Sequence, residues 1–139
     1  RQVGTLILVA TGAAAVLTVV ALLPVLGPFA PLAGLIPLGI GFVFGSLLVE
    51  IGSGELRVAF GPGLISRTID LAEVVAAEPV RNRIWYGFGI RYVPGRVWMW
   101  NVSGLDAVEL TYRSGGRFRI GTDQPQELVA AVSEAAHLT

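Results

Sequence analysis

From Gln2 to Val49 the chain carries no charged residue and no periodic polar face. A hydrocarbon core of about 30 Å takes about 20 residues of helix, so this run is too long for one membrane span and about right for two. Residues 5–23 supply the first and residues 32–49 the second. Between them stand Pro24, Gly27, Pro28 and Pro31, which remove backbone donors and break helices. The pattern predicts a two-helix transmembrane hairpin over residues 1–50. Arg1 and the small residues Gly12–Ala15 also resemble parts of a cleavable signal peptide, but a second apolar run directly afterwards opposes simple secretion. A buried helix of a soluble domain would keep one hydrated side, which this run lacks. Arg1 stands where an initiator Met would, which predicts a processed start.

After residue 50 the period changes to two. Leu56, Val58 and Phe60 alternate with Arg57 and Ala59, and Gly61-Pro62-Gly63 turns the chain into a second strand over residues 64–71. A third run, Val74 to Ile84, contains Pro79 and fits an edge or bulged strand. Phe88, Ile90 and Tyr92 predict an inward face, with Arg91 opposite. Trp98, Trp100 and Val102 share one face of the next strand; Val97, Met99 and Asn101 share the other. The last hairpin sets Val108, Leu110 and Tyr112 against Phe118 and Ile120. A three-residue turn at Ser114-Gly115-Gly116 predicts Tyr112 opposite Phe118 and Leu110 opposite Ile120. This makes seven strands.

The period then returns to 3.6 for a terminal helix at about residues 124–137. Thr122 and Asp123 are candidate caps, Pro125 sits in the first turn, and Leu128, Val129, Val132, Ala135 and Ala136 form one apolar stripe. Such a stripe requires a sheet to cover. The organisation is therefore an anchor at 1–50 and a β domain with a terminal helix at 51–139.

Composition sharpens this division. The chain is 53% hydrophobic and 14% charged, yet all charges but that of Arg1 lie at or beyond Glu50. After residue 50, nine Arg face nine Asp and Glu, so the domain has no basic excess and nucleic acid is not an expected partner. The chain lacks Cys, which excludes disulfides and thiol chemistry. Basic residues near the span ends are Arg1, Arg57 and Arg67, a bias that places both ends inside. The expectation is a multi-pass protein of the cytoplasmic membrane with its C-terminal domain in the cytoplasm.

The run Gly87-Phe88-Gly89-Ile90-Arg91, then Val97-Trp98-Met99-Trp100-Asn101-Val102-Ser103-Gly104, Ala107-Val108-Glu109-Leu110 and Phe118-Arg119-Ile120-Gly121-Thr122-Asp123-Gln124-Pro125 resembles bacterial membrane-anchored pleckstrin-homology-like proteins. The resemblance covers roughly residues 50–138. It implies an α+β membrane protein in which a seven-stranded barrel or sandwich is capped by one C-terminal helix. Members that bind inositol phosphates carry basic residues in the first β-turn, where this chain has the uncharged Gly61-Pro62-Gly63.

Candidate chemistry is sparse. His137 is the only histidine, it falls on the polar side of the last helix, and no Ser has a base nearby in sequence, so no catalytic residue is assigned. No metal-ligand spacing and no cofactor motif occurs; Gly87-Phe88-Gly89 is better read as a turn or bulge. The transmembrane spans hold no ionisable residue, which disfavours transport. Two features remain. Arg81, Arg83, Trp85, Arg91 and Arg96 lie in a stretch with six aromatics and no acid, a candidate headgroup or partner contact that competes with core packing plus ordinary surface Arg. Gly41 and Gly45 allow close helix packing, within the hairpin or between copies.

The expected function is a non-enzymatic scaffold, held to the lipid bilayer by two transmembrane helices, that binds a protein partner or forms a homo-oligomer. The alternatives are lipid-headgroup or small-amphiphile binding through 81–100, and an accessory subunit of a membrane enzyme or transporter.

Overall fold

A computed structural model describes residues 1–138. The chain begins with a short strand, β1 (Gln2–Val3), and then enters α1 (Thr5–Leu26). A 3-10 turn at Gly27–Phe29 leads directly into α2 (Ala30–Phe44). The remaining strands are β2 (Ser46–Gly52), β3 (Glu55–Phe60), β4 (Ile65–Asp70), β5 (Val74–Arg81), β6 (Gly89–Val93), β7 (Val97–Asn101), β8 (Asp106–Tyr112) and β9 (Arg117–Gly121), followed by α3 (Pro125–Ala135).

This architecture corrects the expected two-helix hairpin with seven strands. The helical segment is one joined run from Thr5 to Phe44, because the proline-rich connector is itself helical. Pro28 lies at the start of the 3-10 turn and Pro31 near the start of α2, where the missing N–H is no loss. The segment also ends earlier than expected. Leu47, Val49 and Ile51 alternate as core residues of β2, so residues 46–49 are strand. A short apolar run satisfies either period, and here the pairing with β3 decides. At 1.5 Å per residue α2 is about 22 Å long, short of a full hydrocarbon core. The segment as a whole is long and apolar enough to cross a membrane. Its surface is apolar on all sides: Leu17, Val25, Ile36 and Phe42 are all exposed.

Within the run the chain reverses at Gly27, and α1 and α2 lie against each other through small residues. A Cβ on Gly34 would meet Val19 and Ala15, and one on Gly41 would collide with the Thr11 hydroxyl. Thr11 itself returns its hydroxyl to the Ile7 carbonyl at 2.8 Å. Gly45 faces Leu8, so Gly41 and Gly45 are both occupied within the chain.

Among the described residues nine strands form two sheets. The first is antiparallel, in the order β1-β2-β3-β4; the second runs β5-β8-β9-β7-β6, with β7 and β9 parallel. The helical segment is therefore inserted between two paired strands, since β1 and β2 both belong to the first sheet. Between the sheets lie Leu56, Val58, Phe60, Val108, Leu110, Phe118 and Ile120, and the stripe of α3 closes the core with Val132 fully buried. Pro79 is accommodated because β5 is an edge strand, with a register irregularity between Val74 and Ala76. In the last hairpin Leu110 opposes Phe118 and Val108 opposes Ile120, two residues from the expected register. The turn occupies Arg113–Gly115, with Gly115 at φ 83°, and the shift of two preserves the buried face. Asp123 does not cap α3; its carboxylate accepts a 2.9 Å bond from Gln2 Nε2.

The helical segment is locked to the first sheet by backbone. Gly4 N–H donates to the Gly45 carbonyl and Gly61 N–H to the Ser46 carbonyl, both at 2.8 Å. At Gly61, φ is 50° and a Cβ would fall 2.5 Å from the carbonyl oxygens of Phe42 and Val43, so only glycine fits. Aromatic rings continue the connection inward: Phe44 to Phe60 at 5.3 Å, Phe60 to Trp100 at 5.1 Å, and Trp100 to Phe118 at 5.8 Å. Arg67 closes the series with its guanidinium 4.7 Å from the Phe118 ring.

Overpacking a close helix contact costs about 1–3 kcal/mol, so Gly34→Leu and Gly41→Leu each lower stability by that amount. Gly39→Leu, where a Cβ meets nothing within 4 Å, leaves it unchanged. Thermal unfolding in detergent micelles followed by circular dichroism measures the difference.

Candidate functional site

The segment Asn82–Phe88 crosses the outer face of the second sheet from β5 to β6, its opposite edges. Asn82 secures the start. It is 4% exposed, its N–H donates to the Leu105 carbonyl at 2.6 Å, and its side-chain oxygen accepts from Arg119 Nη1 at 3.0 Å. Arg119 is oriented in turn by Glu109 at 2.6 Å, and Glu109 also holds Arg117 at 3.1 Å. Tyr86 secures the far side by packing on Val93, Val97 and Met99, a small second core outside the sheet. Gly87, at φ 71°, then returns the chain to β6.

Between these two fixed points Ile84 and Trp85 project outward, 73% and 70% exposed. The Arg83 guanidinium lies 5.3 Å from the Trp85 ring centroid, a cation–π arrangement that keeps the charge at the edge of an apolar tip. Arg91 donates from Nε to the Phe88 carbonyl at 2.9 Å, bracing the return of the segment. The structure thus gathers Arg83, Trp85 and, beyond Gly87, Arg91. Arg81 stands on the opposite edge strand, exposed and in register with Asp106, an acid just outside the acid-free stretch. Arg96 is separated from the group, in the turn between β6 and β7 at φ 60°.

A second exposed feature lies on β6. Tyr92 and Trp98, directly opposite each other in the β6–β7 pair, meet edge to face at 5.2 Å and are 58% and 48% exposed. The inward face expected for Phe88, Ile90 and Tyr92 is corrected. Ile90 packs on the core, but Tyr92 lies further along the edge strand, where no element covers it. Strand β6 pairs only with β7 among the described residues, so its other edge is open.

Periodicity does not identify Ile84 or Asn82, because both lie in an irregular crossing whose course depends on distant partners. The short apolar run Ile84-Trp85-Tyr86 among arginines is the available signal. His137 is exposed beside Ser53 and Asp70, at the far end of α3. No group of three or more His, Asp or Glu side chains is placed to hold a metal among the described residues.

Comparison with family models, curated proteins and solved structures returned no match. The resemblance to pleckstrin-homology-like proteins therefore rests on the sequence motifs alone.

One titratable group is clearly perturbed. The Tyr112 hydroxyl is buried without a hydrogen-bond partner, and burial raises its pKa, with the Arg67 charge partly opposing. A raised acid favours the protonated folded form. Its contribution is complete below the unfolded value of about 10 and is lost as pH rises through the higher folded value. Tyr112→Phe also removes an unsatisfied polar atom, so at neutral pH it matches wild type to within about 1 kcal/mol or exceeds it. Melting temperatures measured from pH 7 to 11 should fall less steeply above pH 10 for the variant.

Proposed function

We propose that this chain is a non-enzymatic interaction domain, anchored in the membrane, that captures an extended segment of a protein partner or of a second copy along strand β6. The observation that carries the reading is the exposed Tyr92–Trp98 pair beside an unpartnered strand edge. An added strand gains affinity from backbone hydrogen bonds and specificity from side chains received on the adjoining face. Aromatic residues are favoured at such contacts because they bury much area at low entropic cost. Copies confined to one membrane also meet at raised effective concentration, so a weak edge contact suffices. The sequence resemblance to bacterial membrane-anchored pleckstrin-homology-like proteins accords with this reading and forms part of it.

The joined helical segment supplies the anchor. Its two ends meet in the Gly4–Gly45 hydrogen bond, which supports entry and exit on one membrane face. Arg1, Arg57 and Arg67 near those ends favour the cytoplasmic side, giving a multi-pass protein with its β domain in the cytoplasm. Because the chain has no Cys, single cysteines report the topology. In intact cells Ser53→Cys resists a membrane-impermeant maleimide until lysis, whereas Pro28→Cys reacts without it; the reverse pattern removes the cytoplasmic assignment.

A photo-crosslinking amino acid at position 92 in native membranes tests the edge contact. A discrete adduct is expected, either at twice the chain mass or at that of a second protein, and Trp98→Lys should diminish it several-fold. Absence of any adduct at position 92 overturns the proposal.

A further inference from the structure

The exposed tip Ile84–Trp85 is not used by an edge contact at β6, and it has its own surroundings. Two large apolar side chains more than two-thirds exposed, held by a segment fixed at both ends, form a rigid projection. They are not the disordered crest of a loop. Water contact at such a pair is costly, at about 25 cal/mol per Å² of apolar surface, so a permanent covering is favoured. The position of the segment indicates which covering is at hand. Asn82 is bonded to Leu105, three residues from Val102, and a Cβ on Gly4 would lie 2.9 Å from the Val102 carbonyl oxygen. Gly4 immediately precedes α1. The segment therefore leaves the second sheet at the end that carries Val102, beside the point where the chain enters its apolar helices. It rejoins the sheet at that same end but at the opposite edge, since Gly89 pairs with Asn101, next to Val102.

The chemistry fits a headgroup layer. Trp has an apolar ring with one polar N–H and concentrates at the membrane–water interface. Arg83 lies against the Trp85 ring, where it can reach phosphate while the ring and Ile84 enter the acyl boundary. Arg91 adds a second exposed guanidinium on the same side of the sheet, and neither forms an ion pair among the described residues. Asp106 stands opposite Arg81 in register, and Glu109 is shared by Arg117 and Arg119.

We propose that Ile84 and Trp85 insert into the headgroup region of the same bilayer that holds the helical segment, with Arg83 and Arg91 on lipid phosphate. This second attachment fixes the tilt of the β domain. With the helical segment locked to the first sheet, the whole unit could tilt in the bilayer on that one attachment; with two it cannot. The inference rests on the membrane-anchored part of the proposed function and is independent of whether β6 binds a partner.

The test uses the full chain in vesicles of phosphatidylcholine and phosphatidylglycerol, with an environment-sensitive fluorophore on a single introduced cysteine. Trp85→Cys replaces an exposed side chain and leaves the core intact. Nitroxide on the lipid headgroup should quench label at position 85 several-fold more than label at Ser114→Cys, in the turn at the opposite end of the domain. Adding Arg83→Glu and Arg91→Glu should reduce that quenching. Equal quenching at 85 and 114 overturns the inference and leaves the tip as a protein contact or an idle surface. A label at Val20→Cys, in α1, reports the anchor separately through nitroxide on the acyl chain. Failure there removes the anchored reading itself, whereas quenching at 20 without quenching at 85 removes only the second attachment.

Discussion

The hydrogen bond from Gly4 N–H to the Gly45 carbonyl is the constraint on which the rest of the structure depends. It closes the long apolar loop at its base, so the helical segment leaves the β domain and returns to it at one point. Closing so long a loop carries a considerable entropic cost, offset here by strand pairing on either side. Gln2 and Val3 pair with Leu47 and Ser46, and the Gln2 side chain reaches across to Ser103 and Asp123, in the loops that follow β7 and β9. Two residues before the first helix thus tie the helical segment, the first sheet and the ends of two strands of the second together.

From this base two kinds of surface are separated sharply. One side exposes aliphatic residues all round a helical segment, a surface suited to lipid. On the other side, apolar residues face inward between two sheets and charges face outward. The aromatic series from Phe44 to Phe118 crosses the boundary, so the end of α2 packs directly on the centre of the β core. The helical segment is consequently part of the folded unit.

How much was legible in the sequence follows from the range over which each choice is made. The apolar segment was readable because a helix with no charge on any side has no face to keep in water. Gly61-Pro62-Gly63 announced the turn between β3 and β4 through local backbone preference, and the 3.6-residue stripe announced α3. Residues 46–49 mislead because Leu47-Leu48-Val49 suits helix and strand alike, and only pairing with Val58, Ala59 and Phe60 settles it. The extra strand β1 is two residues long and exists by virtue of its partner. Of the candidate site, Arg83, Trp85 and Arg91 were legible as a cluster of types. The isolation of Arg96, the exposure of Tyr92 and the role of Asn82 as a fixed point were not, since each depends on which strands become neighbours.

The central position of β9 has a consequence for biosynthesis. It is the last strand among the described residues, yet it lies between β8 and β7 and joins the two halves of its sheet. Until Gly121 has emerged from the ribosome, the β5–β8 pair and the β6–β7 hairpin have no common neighbour, and Trp98 and Trp100 lack a complete core. The helices emerge far earlier. The helical segment is therefore complete well before the domain can fold, and the β6–β7 hairpin spends that interval without its central neighbour, so that a premature stop would leave a finished helical segment on an unfoldable remnant.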